Sequence, residues 1–529
     1  MAIIEVLLSL IAVGLFASAK TYQATMLGGL GLLLIALVLR WGRTGRPLPR
    51  TRLDGPLGLF LLSALLSLWV SYSLETSLAK FGLLLSSVLL FYMLVRAPHR
   101  VRLLMAAGLV LFGSGLSLYF VTQNNELASI AAGKFSILGF IGDSIRAISP
   151  QFNAYQPHPN IVAGVLEVAL MIDMGLLLVI YQKGQKNVPF WQFLLLALGA
   201  VAAGLLLLGL LLTGSRGAWL AVGVAGGGWF LNTMRQSSRF QVFDALAVII
   251  IVGSLFFLFF LDVPDPTVLS AEAQVGSASR LPLYQGVTQL IRDYFITGAG
   301  LGTFPMLYSA YVLGTEVVIQ NHTHNLYLAV WLEQGILGVV ALLWLGASFV
   351  WAYSRWSRTY LQIMKHDHFI TQKIMATAAF WAIMVVFCHG LIDSAHYNSR
   401  FLPLIFVCLG LGDFLRRRRI IYAPDMRPPL ISPRTLGLVS GIILLVLLFW
   451  VVAPLRAMWY ANLGAVAQAK IELDHYEWPD RIPMKLRASS DLSRPISLFE
   501  KALELAPHNA TAQRRLGLIN QSHTQTSQN

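Results

Sequence analysis

Apolar residues in this chain of 529 residues form long runs separated by short polar segments. A run of about 17 or more apolar residues is long enough to cross a bilayer as a helix. The pattern therefore predicts an all-α polytopic membrane protein with about 12–13 transmembrane helices. The predicted spans are residues 2–18, 24–40, 56–73, 79–95, 103–122, 160–181, 191–213, 217–233, 241–261, 325–353, 374–392, 401–415 and 436–454.

A long polar segment, residues 262–323, separates two of these spans. Within it, the apolar positions from about Ser279 to Phe295 recur at helical spacing, which predicts an amphipathic helix at the membrane interface. The glycine-rich stretch 298–302 predicts a turn after that helix. We expect this helix to lie in the interface, where it can cover a cavity.

The chain becomes polar again after about residue 457. Residues 496–518 have the small-residue spacing of one tetratricopeptide-type helical hairpin, which cannot bury its own apolar face alone. We therefore predict a membrane domain at residues 1–456 and an external helical tail at 457–529. The tail is expected to pack on the membrane domain or on a protein partner, and its residues from about Gln521 are expected to be disordered.

Composition supports a membrane location and charge supplies an orientation. The chain is 56% hydrophobic and only 12% charged, compared with about 25% charged residues in soluble domains. Its net charge of +14 does not indicate nucleic acid, because the basic residues cluster beside the spans. With the N-terminus in the cytoplasm, cytoplasmic loops hold 22 Lys and Arg residues and the opposite loops hold 8. This bias predicts that segment 262–323 lies on the external (periplasmic) face of the membrane.

The segment His322-Thr323-His324-Asn325 lies where the external loop meets span 325–353. The positive end of a helix dipole favours a neutral imidazole at His324, and a neutral imidazole can act as a general base. Alternatively, His324 is an interfacial histidine that binds a lipid phosphate or a loop carbonyl. We interpret His322 as part of the loop structure, whereas Asn325 either orients the imidazole or caps the helix.

An arginine lies between two apolar spans in the sequence Thr213-Gly214-Ser215-Arg216-Gly217. A guanidinium can bind a phosphate through two hydrogen bonds, and backbone N–H groups at the following helix start add to an anion site. The alternative is that Arg216 extends to lipid headgroups. Arg280, on the predicted loop helix, is by itself no more than a surface charge.

Several other residues are expected to be structural. Asp393 and Arg400 flank a short external loop and are expected to pair with each other. Glu333 lies inside a span and needs a hydrogen-bonding partner, while Gly335 and Gly338 are expected to allow close helix packing. The two cysteines lie in apolar helices, and no metal-type His/Cys cluster or phosphate-binding loop is visible in the spacing. We therefore predict no metal and no cofactor.

Together these motifs resemble the O-antigen ligase and polymerase superfamily of bacterial envelope glycosyltransferases, over roughly residues 150–415. His324-Asn325, nine residues and then Gly335-Ile336-Leu337-Gly338 match its H-[NSQ]-x9-G-x-x-G pattern without a gap. The Ser215-Arg216-Gly217 element, Arg280 followed by the turn at 298–302, and the Pro159-Asn160 helix start are similar to further elements of that superfamily.

The resemblance implies a metal-independent, GT-C-like helical fold and a glycan donor on undecaprenyl diphosphate. It implies that Arg216 and Arg280 bind the diphosphate and that His324 deprotonates the acceptor hydroxyl. The supporting residues it suggests are Asn325, His322, Ser215, Asp393 and Asn160.

The superfamily includes three activities that these motifs do not separate. A ligase transfers a finished polymer to lipid A–core, a polymerase joins carrier-linked repeat units, and a protein O-oligosaccharyltransferase uses a Ser or Thr hydroxyl. The close match of the histidine motif favours a ligase. A different class, a transporter of an anionic lipid or solute, would also need external arginines, but we see no inverted repeat in the sequence.

Overall fold

The computed structural model of the protein describes most of the chain and builds it from helices. The described residues are 2–18, 23–123, 144–145, 147–148, 157–183, 189–234, 280–315, 318, 320–363, 367–415, 451–473, 487 and 490–526. The helices are α1 (Ala2–Phe16), α2 (Gln23–Thr44), α3 (Asp54–Val70), α4 (Leu74–Leu94), α5 (His99–Gln123), α6 (Pro159–Lys183), α7 (Phe190–Leu212), α8 (Arg216–Met234), α9 (Leu281–Asp293), α10 (Phe304–Tyr308), α11 (Leu326–Ile363), α12 (Asp367–His389), α13 (Ala395–Asn398), α14 (Pro403–Leu411), α15 (Ala453–Leu473), α16 (Ser493–Leu505) and α17 (Ala510–Thr526). These residues include no strand, so the all-α prediction is confirmed.

Seven of the described helices are long and apolar enough to cross a membrane, namely α2, α4, α5, α6, α7, α11 and α12. The apolar helices α1 and α3 are shorter. The predicted span 401–415 is also shorter than expected, because α14 covers only Pro403–Leu411. Predicted spans 241–261 and most of 436–454 lie outside the described residues. A polytopic membrane protein is confirmed, while the number of 12–13 spans and the GT-C-like topology remain predictions.

Helix α6 is central to the membrane bundle and packs against α5, α7, α8 and α12. Small residues allow the close approach of α6 and α12, since a Cβ at Gly175 would lie 2.5 Å from Ala378 Cβ. Small residues have this role in many membrane helix pairs, where close packing rather than apolar burial drives association. The packing fixes the ends of α6 and α12, which carry part of the candidate site.

The amphipathic helix predicted within segment 262–323 is confirmed as α9, Leu281–Asp293. The tail forms the predicted hairpin, α16 and α17, which packs on α15, and α15 in turn contacts α9. The Asp293 carboxylate at the end of α9 accepts from both Arg514 and Arg515. Helix α17 continues to Thr526, past Gln521, where the polar sequence predicted disorder. The domain boundary at residue 456 remains a prediction, since α15 continues across it.

The first glycine of the superfamily-like motif breaks α11 rather than serving close helix packing. Gly335 has φ +68° inside the helix, and a Cβ there would lie 2.6 Å from the Gly298 backbone nitrogen. The turn after α9 enters this break, where Ile336 N donates to Phe295 O (3.0 Å) and Ala299 N donates to Leu332 O (2.7 Å). The break therefore anchors the segment that carries α9 to α11.

Candidate active site

His324 lies just outside α11 in a strained backbone conformation. Helix α11 begins at Leu326 and Asn325 caps it, since its Oδ1 accepts from the backbone nitrogens of Tyr327 (2.9 Å) and Leu328 (3.0 Å). His324 has φ +49° and is the only non-glycine residue with positive φ in the described ranges. Such a conformation costs about 1–3 kcal/mol and persists where surrounding contacts impose it, often at functional sites.

The His324 ring is oriented by a carboxylate rather than by the helix dipole. His324 Nδ1 lies 2.8 Å from Asp393 Oδ2. A carboxylate accepts hydrogen bonds, so this contact assigns the proton to Nδ1 and leaves Nε2 as the acceptor. The contact pairs Asp393 with His324, 69 residues earlier in the chain, where the sequence analysis expected Arg400.

Asp393 is a buried carboxylate with several donors around it. Its Oδ2 accepts from Asn160 Nδ2 (2.8 Å), its Oδ1 accepts from the Ala395 backbone N–H (2.9 Å), and Arg280 NH2 lies 3.7 Å from Oδ2. Burial favours the neutral acid, but the hydrogen bond and charge of His324, with His389 and Arg280, outweigh it and hold the pKa of Asp393 well below its usual range. Asp393 therefore stays ionised at neutral pH.

Helix α9 brings Arg280 to the same place. Arg280 directly precedes α9, and its guanidinium donates to the Ile392 carbonyl beside Asp393. One turn later, the Tyr284 hydroxyl donates to the His324 carbonyl at 2.8 Å. Arg280 thus becomes part of the site through tertiary contacts that its place in the sequence does not reveal.

Arg216 is the first residue of α8 and is exposed. Gly217, which follows it, packs tightly: a Cβ there would lie 3.0 Å from His389 Cδ2 and 3.2 Å from Ile392 Cγ2. The start of α8 therefore contacts the segment that also receives Arg280. Ser215 is buried under this turn, and its backbone N–H donates to Thr213 Oγ1 (3.4 Å).

The sequence of this region has a recognised counterpart. Residues 201–343 match the model of the family described as O-antigen ligase. These residues are similar to that family, and we call them the superfamily segment. The match supports a glycosyltransferase of that general type and confirms the predicted resemblance. No curated protein matches the chain.

The superfamily segment holds most of the predicted site residues: Ser215, Arg216, Arg280, His322, His324 and Asn325. The structure adds two predicted residues from outside the segment, Asn160 at the start of α6 and Asp393 after α12. Asp393 contacts both Asn160 and His324. The site is thus assembled from α6, α8, α9, α11 and the segment after α12. The roles of these residues remain predictions.

His322 lies beside the superfamily histidine, with its ring 6.3 Å from that of His324 and perpendicular to it. Burial lowers the pKa of His322 to about 4, against the opposing charge of Asp393. Its buried Nδ1 has no hydrogen-bond partner among the described residues. A neutral imidazole with an unused nitrogen can contact a ligand, and the loop role expected of His322 remains a prediction.

Glu333, two residues before Gly335, has a lysine partner that the sequence analysis did not identify. Lys80 Nζ lies 2.9 Å and 2.8 Å from the two carboxylate oxygens of Glu333 and 2.9 Å from Asn398 Oδ1. It also lies 4.0 Å from the centre of the Tyr397 ring. The expected structural role for Glu333 fits these contacts. A lysine near the start of an apolar span was the available signal, but the spacing does not identify its partner.

A buried cluster of Glu167, His389 and His396 corrects the expectation that the chain has no metal-type grouping. Glu167 Oε1 lies 2.8 Å from His389 Nδ1 and 3.0 Å from His396 Nε2, and the three ligand atoms lie within 4.8 Å of one another. The residues come from α6, α12 and α13, so no local spacing could reveal them. The shared carboxylate oxygen forms a hydrogen-bonded network one turn from Asp393, and such a set could also hold a metal ion.

Proposed function

We propose that this protein transfers a glycan from undecaprenyl diphosphate to an acceptor hydroxyl at the periplasmic face of the bacterial inner membrane. The preferred form of the proposal is an O-antigen ligase with lipid A–core as the acceptor. The observation that carries it is the 2.8 Å contact between His324 Nδ1 and Asp393 Oδ2, with Arg280 beside the same carboxylate. This arrangement supplies a base and a cationic group at one point.

In the proposed step, His324 Nε2 takes the proton of the acceptor hydroxyl. The acceptor oxygen bonds to the anomeric carbon as the bond from that carbon to the diphosphate oxygen breaks. The electron pair leaves with undecaprenyl diphosphate, and the anomeric configuration inverts. Asp393 holds the ring in the tautomer that accepts at Nε2 and stabilises the imidazolium that forms, as a carboxylate does beside other catalytic histidines.

Arg216 and Arg280 are the proposed ligands of the diphosphate. Guanidinium groups bind phosphate oxygens through paired hydrogen bonds and stabilise the charge that develops on a leaving group. The backbone N–H groups at the start of α8 add to the same anion site. Two cations of this kind can neutralise a diphosphate, so the proposal includes no metal or cofactor.

Three activities of the superfamily share this chemistry and differ only in the acceptor. The gapless H-[NSQ]-x9-G-x-x-G match favours the ligase, and the polymerase and the protein O-oligosaccharyltransferase are the alternatives. The test is the glycolipid profile of the host after gene deletion, with complementation by wild type or by His324→Ala.

The ligase predicts long polymer retained on the carrier and bare lipid A–core, restored by wild type but not by His324→Ala. Single repeat units on lipid A–core would indicate a polymerase instead. Normal glycolipid with an unglycosylated secreted protein would indicate an oligosaccharyltransferase. An unchanged set of glycans would contradict the enzyme proposal and favour the transporter.

A further inference from the structure

A groove of about 470 Å³ lies between the external helix α9 and the start of the tail helix α17. This volume is in the range of small-molecule sites, about 300–1,000 Å³. Gln285, Thr288 and Arg292 line one wall, and Thr511 and Arg514 line the other. The groove thus exists only where the tail packs on the superfamily segment.

The wall formed by α9 is polar after its first residue, Leu281. Leu281, Gln285, Thr288 and Arg292 are exposed and recur at helical spacing on one face. This face extends about 16 Å, from the 1.5 Å rise per residue of an α-helix. Amide, hydroxyl and guanidinium groups in a row offer the donors and acceptors that sugar hydroxyls require.

The second wall is held firmly in place. Arg515 of α17 is fully buried, and its Nε donates to Asp293 Oδ2 at 3.0 Å. Its NH2 also donates to the Tyr294 hydroxyl at 3.2 Å. A buried charge pair of this kind fixes geometry, because removal of one partner leaves an uncompensated charge. The tail therefore contributes a rigid wall to the groove.

The groove carries an excess of positive charge. Arg514 and Arg515 share the single carboxylate of Asp293. Arg292, in the last turn of α9, is exposed and has no pairing side chain among the described residues. A ligand with anionic substituents is favoured by this balance.

One end of the groove adjoins the candidate base. Tyr284 lines the groove, and its hydroxyl donates to the His324 carbonyl at 2.8 Å. Arg280, which precedes the same helix, contacts the Asp393 side of the site. A chain lying along α9 would therefore lead directly to His324.

We propose that this groove binds a hydroxyl-rich glycan chain with anionic substituents and aligns it with His324. The inference rests on the proposed function, which it deepens by assigning the tail a substrate-binding role. The glycan can be that of the donor polymer or that of the acceptor, since both share this chemistry.

The test is a binding titration of the purified full-length protein with two probes, polysaccharide released from its carrier and delipidated core oligosaccharide. Arg292→Ala should weaken binding of one probe about tenfold or more, the loss expected for one charge-assisted hydrogen bond. Arg494→Ala is the matched control, because Arg494 is an exposed arginine of the tail that does not line the groove. This control should bind as wild type does.

The probe that responds identifies the source of the glycan. Equal affinities of the Arg292→Ala and wild-type proteins for both glycans would overturn the proposal, as would binding only to a Ser-containing acceptor peptide. Turnover assays separate this outcome from failure of the proposed function. If glycan binding depends on Arg292 but no glycosyl transfer occurs, the enzyme proposal is contradicted and the glycan-binding groove is supported. If transfer occurs and Arg292→Ala changes neither transfer nor glycan affinity, the enzyme proposal is supported and the glycan-binding groove is contradicted.

Discussion

Replacement of Asp393 by asparagine tests the orientation of the candidate base with little change in shape. In the wild-type protein, Oδ2 of Asp393 faces two donors, His324 Nδ1 and Asn160 Nδ2, both at 2.8 Å. Oδ1 accepts from the backbone of Ala395. An amide that keeps its oxygen on Ala395 would turn an N–H group toward His324 Nδ1. That contact favours the tautomer with the proton on Nε2, which cannot act as a base.

We expect Asp393→Asn to lower kcat about 1,000-fold, or ~4 kcal/mol of barrier, within the range of general-base contributions. Loss of the contact with Arg280 should add little, because a guanidinium 3.7 Å away and 38% exposed forms a weak pair of about 0–1 kcal/mol. The assay is transfer by purified protein in nanodiscs, with undecaprenyl-diphosphate-linked glycan and a hydroxyl acceptor. Donor binding should persist.

Asp491→Asn, at an exposed tail position, is the matched control and should keep wild-type activity. A melting temperature for each variant separates loss of chemistry from loss of fold. If folded Asp393→Asn protein turned over within about threefold of wild type, the His324–Asp393 pair would not be the catalytic base arrangement.

Three further predictions concern stability. Gly335→Ala should lower the melting temperature, because an alanine is strained at this positive φ and its Cβ would clash with the backbone of the turn after α9. Gly108→Ala is the control and should leave the melting temperature unchanged, because the space around its Cβ is open. Lys80→Met should destabilise the fold by about 3–5 kcal/mol, because it leaves Glu333 buried and unpaired. Thermal unfolding should show that adding Glu333→Gln partly restores the lost stability. A double variant no more stable than Lys80→Met would refute the pairing. The pKa of His322 is lowered from 6.5 to about 4 in the folded protein, so the fold favours the neutral imidazole. The stability that depends on this neutral form is complete above pH 6.5 and is lost as the pH falls from about 6.5 toward 4. His322→Gln should therefore melt with less acid sensitivity than wild type, and an equal sensitivity would contradict this.

The membrane spans were predictable because their apolar runs are long, and the amphipathic helix because its apolar positions recur at helical spacing. The break in α11 was not predictable, because Gly335 lies in an apolar segment that continues on both sides of it. Its cause is tertiary: the backbone at Gly298 fills the space where a Cβ would lie. A glycine in a helical pattern alone cannot distinguish this from close helix packing.

The candidate site was predictable in its motifs and not in its pairings. His324 was identified from its place at a helix start, but its partner Asp393 lies 69 residues away and was expected to pair with Arg400. Glu167, His389 and His396 also meet only because α6 and α12 pack closely. Contacts between distant residues depend on helix packing, which periodicity along one segment does not encode.

The most direct test of the proposed mechanism is a single reconstituted reaction with wild type and His324→Ala. We predict that wild type forms a glycosidic bond of inverted configuration and releases undecaprenyl diphosphate in equal amount. His324→Ala should bind the donor and form no product. Equal product from both proteins would contradict the assignment of the base, and no product from wild type with any hydroxyl acceptor would contradict the proposed glycosyl transfer.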